Sequence, residues 1–127
     1  MADEKFISDH KTETFKSMIS ISVEYYKALL LLNGAAAAGI VASIDKLAKV
    51  ADMEQIRSGL MFFVWGLVAD ALAIFFAWIV QNKLHNENIG RGRRGAHTRV
   101  VWVVGVLCLM SLAFFCTGAL VAVGAVQ

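Results

Sequence analysis

The sequence contains no proline, and its first glycine is Gly34. These are the residues that most readily break helices, so nothing before Gly34 interrupts a helix once it has begun. Charge is scarce as well: 17% of residues are Asp, Glu, Lys or Arg and 58% are hydrophobic. A soluble domain carries about 25% charged and about 45 to 50% apolar residues. The composition excludes an ordinary water-soluble globule and reads as an integral membrane protein. Only two cysteines occur, Cys108 and Cys116, eight residues apart. On one helix that spacing separates them by about 12 Å, beyond the roughly 7 Å that a disulfide allows between Cα atoms. Neither belongs to a CxxC or Cys/His metal spacing, and both are expected to be small packing residues. The three histidines, His10, His85 and His97, lie outside the long apolar stretches, which leaves no intramembrane histidine to ligate haem. Phosphate loops, nucleophile elbows and zinc spacings are missing too. These gaps argue against an enzyme, and no cofactor or metal is expected.

What the chain does have is three apolar runs, about 28–44, 60–80 and 100–126. Each can be a helix that crosses the roughly 30 Å hydrocarbon core, the first near the lower length limit. The fold class is therefore all-α, a polytopic membrane protein forming a single domain with no separate soluble core. The middle run, LMFFVWGLVADALAIFFAWIV, carries Asp70 at its centre. A central aspartate costs about 2.5 to 3.5 kcal/mol on insertion scales, and Leu, Ile, Phe and Val return about 0.3 to 0.6 each. With twelve such residues in the run, the apolar sum wins and the span stands.

Ahead of the first run, residues 1–13 read as a polar tail and not as a cleaved signal. From Thr14 to Lys27, Phe15, Met18, Ile19, Tyr25 and Tyr26 recur at helical steps opposite Lys16, Glu24 and Lys27. This predicts an amphipathic helix continuing into the first span. Between the first two runs, Asp52 and Gln55 form a capping-box-like pair, so the second long helix is expected to start near Met53 and run to about Leu84. Residues 82–99 read as a basic loop punctuated by Gly90, Gly92 and Gly95. Lys5, Lys11, Lys16, Lys27, Lys83, Arg91, Arg93, Arg94 and Arg99 fall on one side, against Lys46, Lys49 and Arg57 on the other. The positive-inside rule then predicts a cytoplasmic N-terminus and basic loop, with the first loop and C-terminus outside. Tyr25, Tyr26, Trp78 and Trp102 would form an aromatic belt at the cytoplasmic interface.

Gly66, Asp70, Ala73 and Ala77 are spaced four, three and four and so share one small, polar face of the second span. Phe62, Leu72, Phe76 and Ile79 point largely elsewhere, toward lipid or other apolar contacts. With Asn33, Gly34, Gly39 and Ser111, that face is the candidate pore-lining or packing surface. Gly34/Ala38, Ala35/Gly39 and Gly39/Ser43 are small-xxx-small spacings that permit close helix approach. Counted from the cytoplasmic ends, Ser111 lies about 16 Å deep, level with Asp70, and Asn33 about 8 Å shallower. Asp70 is expected to be protonated and bonded to Ser111 or a backbone carbonyl, or else to line a hydrated path in an oligomer. Asn33 is expected to act as interhelical glue. Lys83, Arg91, Arg93, Arg94 and Arg99 are expected to contact anionic lipid headgroups, each worth about 1 kcal/mol near the surface. That reading is preferred to nucleic-acid binding.

The text ALLLLNGAAAAG in the first run and SLAFFCTGALVAVGA in the third resembles a loose group of small bacterial, plasmid or phage membrane proteins. The resemblance covers the spans only and implies a bacterial inner-membrane setting without assigning an activity. The leading functional expectation is a homo-oligomer that forms or gates a pore, as a holin-like or defence-type effector would. Against the holin comparison, the best-known three-span type has its N-terminus outside, whereas the charge count here puts it inside. The alternatives are a non-catalytic accessory or immunity subunit holding a partner membrane protein, and a small proton-coupled transporter centred on Asp70.

Overall fold

The computed structural model describes the backbone of residues 2–88, 95 and 97–126. Four helices follow in order: α1 (Ala2–Ala42), a single turn α2 (Ile44–Leu47), α3 (Met53–Asn88) and α4 (Thr98–Gly124), with no strand among the described residues. Three of them are long and apolar enough to cross a membrane, an architecture compatible with a multi-pass membrane protein. At 1.5 Å per residue, the 36 residues of α3 measure about 54 Å and the 27 of α4 about 40 Å.

Helix boundaries depart from the sequence reading outside the apolar runs, where polar composition does not end a helix. α1 begins at Ala2 and runs unbroken for 41 residues, so the polar tail is helical. Ala, Glu and Lys favour helix, and neither Gly nor Pro intervenes. For the same reason α3 continues to Asn88, making the first part of the expected 82–99 loop helical. Met53 starts α3 as expected, and the Asp52 carboxylate accepts from the Glu54 amide at 2.9 Å. The other half of the capping box is replaced. The Asp52 amide donates to the Ala125 carbonyl at 2.9 Å, which ties the end of α4 to the start of α3.

α3 and α4 form a close antiparallel pair. A methyl group at Gly118 would stand 3.0 Å from the Gly59 carbonyl oxygen, and one at Gly59 would stand 3.1 Å from that of Gly118. Two backbones can approach this closely only where side chains are missing. Beside the contact, Phe62 stacks obliquely on Phe114 with centroids 6.3 Å apart, and Phe63 on Phe115 at 5.8 Å. Phe62 thus spends its ring on α4 rather than on lipid. At the opposite end, the Glu87 carboxylate accepts from the amides of Gly95 and His97 at 3.1 and 3.3 Å, with His97 Nδ1 3.0 Å away. Gly95 there has φ +80, a left-handed conformation that glycine adopts without strain.

α1 lies against this pair more lightly. Leu29, with Ala73 and Cys108, forms a buried cluster joined by Tyr26, Val104 and Leu107. A methyl group at Gly34 would meet Leu67 Cδ2 at ordinary contact distance, 3.8 Å. Most remaining large apolar side chains face outward, including Leu31, Trp102, Leu109 and Leu120, each about two-thirds exposed or more. A surface of that kind suits lipid or neighbouring helices rather than water. Of the two cysteines, Cys108 is buried and Cys116 is exposed on α4, so only Cys108 packs as the sequence suggested.

Candidate functional site

At mid-length of the bundle each long helix contributes one polar side chain, and the three meet. Asn33 of α1 and Ser111 of α4 are 0% exposed and Asp70 of α3 is 1% exposed. Asn33 Nδ2 donates to Ser111 Oγ at 2.9 Å, to Asp70 Oδ2 at 3.3 Å and to the Leu29 carbonyl at 3.3 Å. The short bond to Ser111 has ordinary N–H···O length and the other two are long. Two amide protons are therefore spread over three acceptors, with Ser111 the firmest. Two oxygens in the cluster, Asn33 Oδ1 and Asp70 Oδ1, are buried without a partner.

The small face predicted on α3 makes this junction possible. A methyl group on Gly66 would collide with the Asn33 amide, so the missing side chain is the space that amide occupies. Ala73, fully buried, and Ala69, 5% exposed, keep α1 and α4 near on either side of Asp70. Ala77, at the end of the same face, is half-buried. It lines an apolar cleft of about 680 Å³ between α1, α3 and α4, together with Tyr26, Trp78, Leu84 and Val101. Gly39, by contrast, would have nothing within 4 Å of an added methyl group, and Ala35, Ala38 and Ala42 beside it are exposed. That part of the small-residue stripe on α1 is largely unused within the chain.

Asn33 sits where the sequence did not put it. Depth counting placed it about 8 Å shallower than Asp70, yet its amide bonds Asp70 and Ser111 directly. The error lies in where the first span was begun. With Asn33 level with Asp70, Val23 rather than Ala28 lies level with Val80, both being ten residues from the cluster. In the sequence reading Glu24 and Lys27 are polar residues ahead of the span. They are an ion pair at 2.8 Å with both side chains mostly exposed, and so can sit near an interface with their charges matched and snorkelling outward. On this register Tyr25, Tyr26, Trp78 and Trp102 all stand about 10 to 14 Å from the cluster along their helices, on the same side.

Of the expected lipid-contact residues, Arg91, Arg93 and Arg94 lie outside the described residues. Arg99 is exposed in the first turn of α4, and Lys83 is half-buried near the end of α3. Sequence reasoning missed the Gly59/Gly118 contact and the Glu87 clasp. An isolated glycine opposite another is invisible to small-xxx-small spacing, whereas Glu87, an acid among basic residues, was a usable signal. The arrangement can hold three helices in one register and bury one titratable group; no nucleophile–base pair is assembled within the cluster. No protein-family model, curated protein or solved structure matches this chain.

Proposed function

We propose that this chain is the protomer of a homo-oligomeric assembly of the bacterial inner membrane, with a cytoplasmic N-terminus, that forms or gates a pore. The observation that carries the reading is the division of surfaces. The buried polar side chains Asn33, Asp70 and Ser111 face one another, while most large apolar residues and the small residues of the α1 stripe face out. The protomer spends its polarity on holding itself together, so a conducting path would run between protomers, along surfaces such as the Ala35, Ala38, Gly39 and Ala42 stripe of α1. Small residues of that kind let neighbouring backbones pack closely.

The test is reconstitution of the purified chain into dye-loaded liposomes, with oligomeric state measured in the same lipid. Flux that rises with protein density and falls when Gly39 is replaced by Leu supports the reading. A defined oligomer that passes neither dye nor ions at any density would sink it. That outcome would favour the accessory or immunity subunit, which would use the same outer faces to hold a partner.

A further inference from the structure

Among the described residues, the Asn33–Asp70–Ser111 cluster lacks the counter-charge that a buried carboxylate requires. On α3 the nearest cations in sequence, Arg57 and Lys83, each stand thirteen residues from Asp70, about 20 Å along the helix. On α4, Arg99 is twelve residues from Ser111, about 18 Å. On α1, Lys27 is exposed and already paired with Glu24. The titratable groups packed nearest are Tyr26 and Cys108, around Leu29 and Ala73; both are uncharged at neutral pH by their ordinary chemistry. An ionised Asp70 would be unpaired at bilayer depth, the situation that intramembrane carboxylates avoid. The Asn33 amide donates to one carboxyl oxygen, Asp70 Oδ2, at 3.3 Å, while Asp70 Oδ1 and Asn33 Oδ1 are both acceptors without a donor, and a carboxyl proton would supply the donor they lack.

We infer that the cluster is a single-proton binding site at Asp70, and that release of the proton undocks α1 from the α3–α4 pair. With the proton bound, the carboxyl becomes a donor. The two ends of the Asn33 amide are nearly the same size and assigned by their partners, so the amide can turn its oxygen to a protonated Asp70 and its NH₂ to an ionised one. Gly66, with no side chain, leaves room for either end. Without the proton, the charge draws water to the junction, and the helix that yields is the one held least. α3 and α4 are joined by the Gly59/Gly118 contact, two ring pairs and ties at both ends, whereas at the centre of the bundle α1 is hydrogen-bonded to the pair through the Asn33 amide. The inference goes beyond pore formation and does not depend on it.

Cys108 reports the docking, because it is 6% exposed and packed with Leu29 of α1. The full chain carrying Cys116→Ala, reconstituted in phosphatidylcholine vesicles, is labelled with a membrane-permeant maleimide from about pH 5 to about pH 9. Thiol reactivity rises with pH by itself, so the reading is the ratio to the same protein with Asp70→Asn, which cannot release the proton. The expected result is a ratio that climbs about tenfold or more, a factor matching a shift of population from docked to undocked. A flat ratio overturns the inference, as does a ratio that responds to sodium at fixed pH instead of to protons. If the Asp70→Asn protein fails to fold, infrared spectroscopy of the protein with Asp70 intact decides. A protonated-carboxyl band that persists at neutral pH, where exposed carboxyls are ionised, and vanishes in step with Cys108 labelling supports the site. Absence of that band at neutral pH overturns it. Neither readout uses flux, so failure here is distinct from failure of the pore.

Discussion

Gly66 and Gly39 offer the sharpest test of the packing, because the same substitution should behave differently at each. A methyl group at Gly66 meets the Asn33 amide. A flexible side chain would swing away at little cost, but Asn33 is fully buried and held by three hydrogen bonds, so it moves only by giving them up. Interhelical side-chain bonds in membranes average about 0.6 kcal/mol and reach about 1.7. Losing the pair to Asp70 and Ser111 therefore costs about 1.2 kcal/mol. Forcing a methyl into a filled site adds about 1 to 3 kcal/mol, which brings Gly66→Ala to about 2 to 4 kcal/mol. Gly39 has nothing within 4 Å, so Gly39→Ala should stay within about 0.5 kcal/mol, as open surface positions do. Helix propensity does not blur the comparison, since transmembrane helices persist after they separate. Equilibrium unfolding in mixed micelles, followed by a probe of α1 docking, measures both variants. Gly66→Ala matching the unsubstituted protein, or the two variants falling together, would refute the assignment of Gly66 as the seat of the Asn33 amide.

Further outcomes follow from the same geometry. Ser111→Ala removes the shortest of the Asn33 bonds and should cost about 0.6 to 1.7 kcal/mol in the same unfolding assay, less than Gly66→Ala. Gly118→Ala presses a methyl onto a backbone oxygen 3.0 Å away, which cannot rotate aside, and should cost about 1 to 3 kcal/mol by separating α3 from α4. Asp70→Leu should split two properties that usually move together: insertion of the isolated α3 segment improves by about 3 kcal/mol on translocon scales, while docking of α1 weakens. Glu87→Ala removes the acceptor of the Gly95 and His97 amides, and hydrogen exchange at those two amides should become faster with the mid-bundle amides unaffected.

Much of the architecture was legible because hydropathy and length constrain membrane helices so tightly. The three long apolar helices, the start of α3 at Met53 and the common level of Asp70 and Ser111 all follow from counting along the chain. Boundaries outside the apolar runs did not follow, since polar composition marks an exit from the hydrocarbon and not the end of a helix. Residues 2–13 and 81–88 are helical for that reason, their polar side chains being compatible with helix as long as no breaker intervenes.

The depth of Asn33 was the more instructive failure, because it came from treating Glu24 and Lys27 as two separate charges. Read singly, each excludes its residue from a span; read as an i, i+3 pair, their charges offset each other. With the pair in contact at 2.8 Å, the first span can begin about five residues earlier, and Asn33 then moves down to the level of Asp70. The neutrality of a short segment, rather than the charge of its individual residues, sets where a helix can enter the membrane. The same principle makes Asp70 conspicuous. Glu24 found a cation one turn away on its own helix, whereas among the described residues Asp70 receives the neutral Asn33 amide, which also holds the Ser111 hydroxyl. A carboxyl that the fold surrounds with neutral donors and no cation is one whose charge the fold has not compensated, and a bound proton is the smallest species that does so.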